Sequence, residues 1–154
     1  MHARGVKETD MSFREKSAWI CLASVLLVQG AYFIHIARLA AGGPLTTQAM
    51  LPALALAILV QAAATAVGHI AFSRQGAREK FDERDRAIAA AAFRRAYLVF
   101  AVALFCAVFG ALEFESAGVV VATQLAYAAW VLAEVVKYAS QAFDYRRAVS
   151  GLGS

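Results

Sequence analysis

The chain has 154 residues, 61% hydrophobic and 17% charged, with fifteen Lys/Arg against eleven Asp/Glu and a net charge of +4. A soluble domain is nearer ~45–50% apolar and ~25% charged, so this chain has too few charges to coat a water-soluble globule of its size. The balance excludes a soluble enzyme, a secreted disulfide scaffold and a disordered chain, and it supplies apolar residues for roughly four membrane helices of ~20 residues.

Residues 1–17 form a charged N-terminal segment carrying Arg4, Lys7, Arg14 and Lys16. Met11 opens MSFREKSAW, a second candidate start, so residues 1–10 read as an upstream extension or a disordered tail. The first apolar span runs from about Ala18 to Ala40. Its run of ~20 residues exceeds the ~7–15 of a signal-peptide core, and the segment before it is mixed in charge, so it is expected to remain as a membrane helix. The second span covers about 50–72, the third 96–112, and the fourth 117–137 with a polar helical extension toward Phe143. The first, second and fourth can each cross a ~30 Å hydrocarbon core at 1.5 Å per residue. The third is short, but the helix formers Ala87 to Ala92 precede it and extend it. The expected fold is an all-α, four-transmembrane-helix bundle over residues 18–143, with a connection at 73–95 and a tail at 144–154.

Basic residues orient the spans. Arg74, Arg78, Lys80, Arg84, Arg86, Arg94 and Arg95 lie between spans two and three, and Arg146 and Arg147 follow span four. With the N-terminal segment, these make thirteen of the fifteen Lys/Arg on one side; Lys137 lies near that side, and the two other connections hold only Arg38. By the positive-inside rule both termini and the middle connection are cytoplasmic. Trp19, Tyr97 and Tyr138 then fall at the inner aromatic belt. The faces Ala64-x-x-x-Gly68, Ala103-x-x-x-Ala107-x-x-x-Ala111 and Ala122-x-x-x-Ala126 let helices approach closely. Packing within the chain is the first use of such faces, and a homo-oligomer the second.

Polar residues inside lipid are the candidates for chemistry, because each is costly without a partner. His35 and His69 differ in depth by roughly 15–20 Å, so they cannot share a metal. Gln29 and Gln61 both fall near the midplane, where they serve as interhelical hydrogen-bonding groups or as a polar site for a small solute. Glu134 and Lys137, three apart on span four, share a face. They read as a structural ion pair, with a carboxylate transport site as the alternative. Cys21 and Cys106 are at different depths and have no CxxC spacing, so they read as inert packing residues.

The densest polar run is RQGAREKFDERDRAI, Arg74 to Ile88. Asp82 is placed to cap the helix that continues into span three, and Asp82 with Arg86 is an i,i+4 pair. Arginines interleave with Asp82, Glu83 and Asp85, and no calcium-loop spacing follows, so neither a cation site nor direct nucleic-acid binding is expected. The charged face Arg78, Lys80, Asp82, Glu83, Arg84, Asp85 and Arg86 is the candidate contact for a cytoplasmic partner or for acidic headgroups.

MSFREKSAW before span one, FDERDR before span three and AEVVKYASQAFDYRR at the end of span four together resemble an uncharacterised family of small four-helix prokaryotic membrane proteins. The resemblance covers Met11 to Arg147, and Asp82 to Arg86 is its most specific part. Members are often encoded beside an Xre-type helix-turn-helix regulator, and the lineage implies a bacterial inner membrane. The resemblance implies a membrane partner of a transcription regulator and carries no catalytic residues. No HExxH, clustered cysteines or nucleophile elbow occurs, so no enzyme activity, metal or cofactor is expected. The expected function is a sensory or regulatory membrane protein, or an anchor, that contacts a cytoplasmic protein. The alternative is a small oligomeric transporter or channel for a proton, cation or small solute, using Glu134 with His69 or the midplane glutamines.

Overall fold

The computed structural model describes residues 12–76, 82–113 and 118–150, and all but a few of them are helical. Among the described residues there are four helices: α1 (Phe13–Gly42), α2 (Thr47–Gly76), α3 (Glu83–Glu113) and α4 (Gly118–Ser150). All four are long and apolar enough to cross a membrane.

Local chemistry sets the helix ends. Ser12 caps α1, its Oγ accepting from Glu15 N at 3.2 Å. At the other end Gly43 has φ +155°, a region that side-chain-bearing residues rarely adopt, and Pro44 follows. Thr46 Oγ1 accepts from Ala49 N at 3.3 Å and begins α2. At α3 the cap is reciprocal: Asp82 Oδ1 accepts from Asp85 N at 2.8 Å, and Asp85 Oδ2 accepts from Asp82 N at 3.3 Å. Gly118 opens α4 at φ +61°.

The helices outrun the apolar runs that mark them. α3 starts thirteen residues before Ala96 and α4 continues to Ser150, so much of 73–95 and of 144–154 is helical. Alanine-rich, charge-laced sequence costs a helix nothing once it leaves an apolar medium, and helix propensity carries it onward.

The packing order is α3–α4–α1–α2. α1 packs on both α4 and α2, while among the described residues α3 packs extensively on α4 alone and α2 on α1 alone. α1 turns one stripe inward: Ala18, Cys21, Leu22, Val25, Gln29, Tyr32 and Ile36 are buried at three- and four-residue spacing. Small residues let α3 and α4 close up, with Ala92 and Ala142 fully buried and Ala107 nearly so. Gly68 faces α1, where an added Cβ would sit 4.0 Å from Ile20 Cγ2. Two of the small-residue faces thus serve packing within the chain, although on α4 the buried alanines are Ala129, Ala133 and Ala142 rather than Ala122 and Ala126. Large apolar side chains such as Leu27, at 73% exposure, point outward on every helix. Such a surface suits a solvent of lipid rather than water. Ala142→Leu forces three extra carbons into a site with no free surface and is expected to cost about 1–3 kcal/mol. A lowered thermal midpoint of the detergent-solubilised protein checks it.

Candidate functional site

Two polar regions stand out, one at the basic end of the helices and one within their apolar length.

At the basic end the charged motifs hold helices together. Arg14 Nε lies 2.9 Å from Asp85 Oδ2, joining α1 to α3, and both side chains are largely covered. Arg95 Nη1 donates to Asp144 Oδ2 at 2.6 Å, joining α3 to α4. Trp19 and Phe143 meet edge to face with ring centroids 5.7 Å apart, joining α1 to α4. The three segments that carry the family resemblance therefore converge on one end of the molecule. Asp82 and Asp85 are occupied by capping, and Asp85 by Arg14 as well, whereas Glu83, Arg84 and Arg86 are exposed. Arg78 and Lys80 lie outside the described residues, as does the side chain of His69.

Within the apolar length, Gln29, Gln61 and Glu134 line one cavity of about 130 Å³ together with Val25, Thr65, Trp130 and Tyr138. Three helices build it. Val25 and Gln29 come from α1, Gln61 and Thr65 from α2, and Trp130, Glu134 and Tyr138 from α4. On α2 and α4 the lining residues are spaced by four, so each set stands on one face.

The two glutamines do not bond to each other. Gln29 Oε1 accepts from Tyr127 OH of α4 at 2.7 Å, and Gln61 Nε2 donates to Ser24 Oγ of α1 at 3.1 Å. A second link joins α1 to α4, where Tyr32 OH donates to Gln124 Oε1 at 2.9 Å. Each bond leaves half an amide over. Gln29 Nε2, Gln61 Oε1 and Gln124 Nε2 are buried and have no hydrogen-bond partner among the described residues. An amide atom in that condition costs about 1–3 kcal/mol. Gln29 and Gln61 both line the cavity, and each carries one buried amide atom without a partner among the described residues.

Glu134 is neutralised locally. Lys137 Nζ reaches both carboxylate oxygens, at 2.6 and 2.5 Å, and lies 4.4 Å from the centre of the Tyr138 ring. Lys137 is not among the residues that line the cavity. The site is therefore polar without carrying a net charge from this pair. No group of three His, Cys, Asp or Glu able to hold a metal occurs among the described residues.

Thr65, Trp130, Tyr138, Tyr32, Tyr127, Gln124 and Ser24 were not singled out as intramembrane site residues from the sequence. The four-residue spacings Gln61–Thr65 and Trp130–Glu134–Tyr138 are the signal that marks the first three. No family model, no curated protein and no solved structure matches the chain. The described residues form four helices, each long and apolar enough to cross a membrane, with a small cavity lined by polar side chains between α1, α2 and α4.

The Arg14–Asp85 pair is testable by charge exchange. Asp85→Arg removes both the cap partner and the ion pair, and is expected to lower the thermal midpoint by several degrees through a loss of roughly 1–2 kcal/mol. Adding Arg14→Asp should recover part of that loss, and equal midpoints for the single and double variants would show that the pair contributes nothing.

Proposed function

We propose that this chain is a non-enzymatic, multi-pass membrane protein that binds a small polar solute between α1, α2 and α4, acting as a small transporter. The observation that carries this reading is that Gln29 and Gln61, each with one buried amide atom lacking a partner among the described residues, line the same cavity. A solute with one acceptor and one donor satisfies both at once, and removes two desolvation penalties that the helices bear without it. The volume limits its size. A cavity of ~150 Å³ takes a benzene molecule, so 130 Å³ suits a solute of up to about six heavy atoms. The charge of Glu134 is already balanced by Lys137, which favours an uncharged solute over a cation.

The packing order supports a carrier. α2 supplies one wall of the cavity yet, among the described residues, packs extensively on α1 alone, so α2 can shift against α4 without dismantling α3–α4. The distribution of Lys and Arg supports an orientation with both termini cytoplasmic, and the family resemblance implies a bacterial inner membrane.

The test uses the tryptophans. Trp130 lines the cavity and Trp19 is the one other tryptophan. In a Trp19→Phe background, a solute such as urea, acetamide or glycerol is expected to shift Trp130 emission, and liposomes containing the protein are expected to take that solute up. Gln29→Leu and Gln61→Leu should each abolish the shift and the uptake. Uptake that persists in both variants removes the proposed site.

A second reading rests on the exposed Glu83 and Arg84 in the first turn of α3. They form a charged surface at the basic end, suited to a cytoplasmic protein such as the regulator that the family resemblance implies. Glu83→Ala with Arg84→Ala is the informative variant, because changes at Asp82 or Asp85 also disturb the cap and the ion pair. Membranes containing the intact protein should capture a cytoplasmic regulator that the double variant loses; capture that survives the change discards this surface.

A further inference from the structure

A second site lies between α1 and α2, toward the turn that joins them. There an open groove of about 640 Å³ is walled by Leu27, Ala31 and His35 of α1 and by Pro52, Leu56 and Val60 of α2. At Ala49 it adjoins a recess around Gly43 and Pro44 that Arg38 also lines. His35 and Arg38 are three apart on α1, so they follow one another up the same face.

Two features of the groove say what fills it. The first is its length. On α2 the groove runs from Ala49 to Val60, eleven residues apart, about 16 Å along a helix, which is half of a ~30 Å hydrocarbon core. The groove gives out where Gln61 Nε2 bonds Ser24 Oγ at 3.1 Å and draws the two helices together. A transmembrane helix from a second copy would need a groove through the full thickness, whereas an acyl chain needs the depth of one leaflet. The second feature is charge. Arg38 is the one Lys or Arg between Lys16 and Arg74, and it makes no ion pair among the described residues. An isolated guanidinium at the mouth of an apolar groove complements a phosphate, which it can hold through two parallel hydrogen bonds.

We propose that the α1–α2 groove is a binding site for one anionic phospholipid of the leaflet at the α1–α2 turn. An acyl chain lies along Leu27, Ala31 and Leu56, and the phosphate sits on Arg38. His35, one turn below, is at the level of the lipid's ester oxygens and donates to them. The lipid covers α1 and α2 on an open face and braces α2, whose extensive packing is otherwise on α1 alone.

The test is native mass spectrometry of the full chain, purified in detergent and titrated with phosphatidylglycerol or with phosphatidylcholine of the same acyl chains. One phosphatidylglycerol should be retained in preference to phosphatidylcholine. Arg38→Gln should reduce that retention about fivefold, and Arg38→Lys should restore most of it. Ala31→Phe, which fills an exposed stretch of the groove wall, should also expel the lipid while circular dichroism shows unchanged helix content. Equal retention of both lipids, or retention indifferent to Arg38→Gln, would show nonspecific annular lipid and overturn the proposal. So would a dimer that retains no lipid and that Ala31→Phe dissociates, because the groove would then be a protein interface.

Discussion

An amide cannot be left alone in an apolar surround, and the arrangement of α1, α2 and α4 follows from that constraint. Gln29 is the most deeply buried large polar side chain, 2% exposed, on the helix that packs against two others. Among helices in lipid the hydrophobic effect gives no preference for one neighbour over another, so close packing and polar contacts decide which faces meet. Gln29 to Tyr127 and Tyr32 to Gln124 tie α1 to α4, and Gln61 to Ser24 ties α2 to α1. Each bond is worth only about 0.6–2 kcal/mol, but rotating α1 by half a turn would forfeit all three and strand their groups in an apolar medium. Register is set by that penalty more than by the bonds' own strength.

The same bonds create the candidate site. Each of these glutamines offers a carbonyl and an amino group, and each is engaged through only one of them, leaving Gln29 Nε2, Gln61 Oε1 and Gln124 Nε2 over. Gln29 and Gln61 line the cavity beside Glu134, Trp130 and Tyr138. Structural cross-links and the groups of the proposed solute site are thus opposite ends of the same side chains. Lys137 pairs with the carboxylate of Glu134, so the charge beside the cavity is balanced within the chain.

The basic end works differently. Charges there are close to water, where exposed ion pairs contribute at most about 1 kcal/mol each, and several weak links act together: Arg14 with Asp85, Arg95 with Asp144, and Trp19 against Phe143. They connect α1, α3 and α4 and leave out α2. α2, which borders the cavity and the α1–α2 groove, takes no part in these three links.

Much of this architecture is legible in the amino-acid sequence. Four apolar runs separated by charge require helices, because a backbone in lipid must satisfy its hydrogen bonds internally. Asp82, just before a helical run, marks where α3 begins, because a side chain that accepts from the first turn acts within four residues of its own position. Glu134 with Lys137 is equally local, a matter of three-residue spacing. What the sequence does not carry is the partner across a gap. Gln29 and Gln61 stand out as midplane amides, yet nothing in their neighbourhood names Tyr127, 98 residues away, or Ser24, 37 residues before. Nor does local spacing put Asp85 beside Arg14 rather than Arg86, or bring Glu134 to the two glutamines. Depth along a helix follows from counting residues at a fixed rise, so the sequence determines how far into the membrane each polar group sits. Which face meets which depends on the rotation and order of the helices, and only tertiary packing decides that.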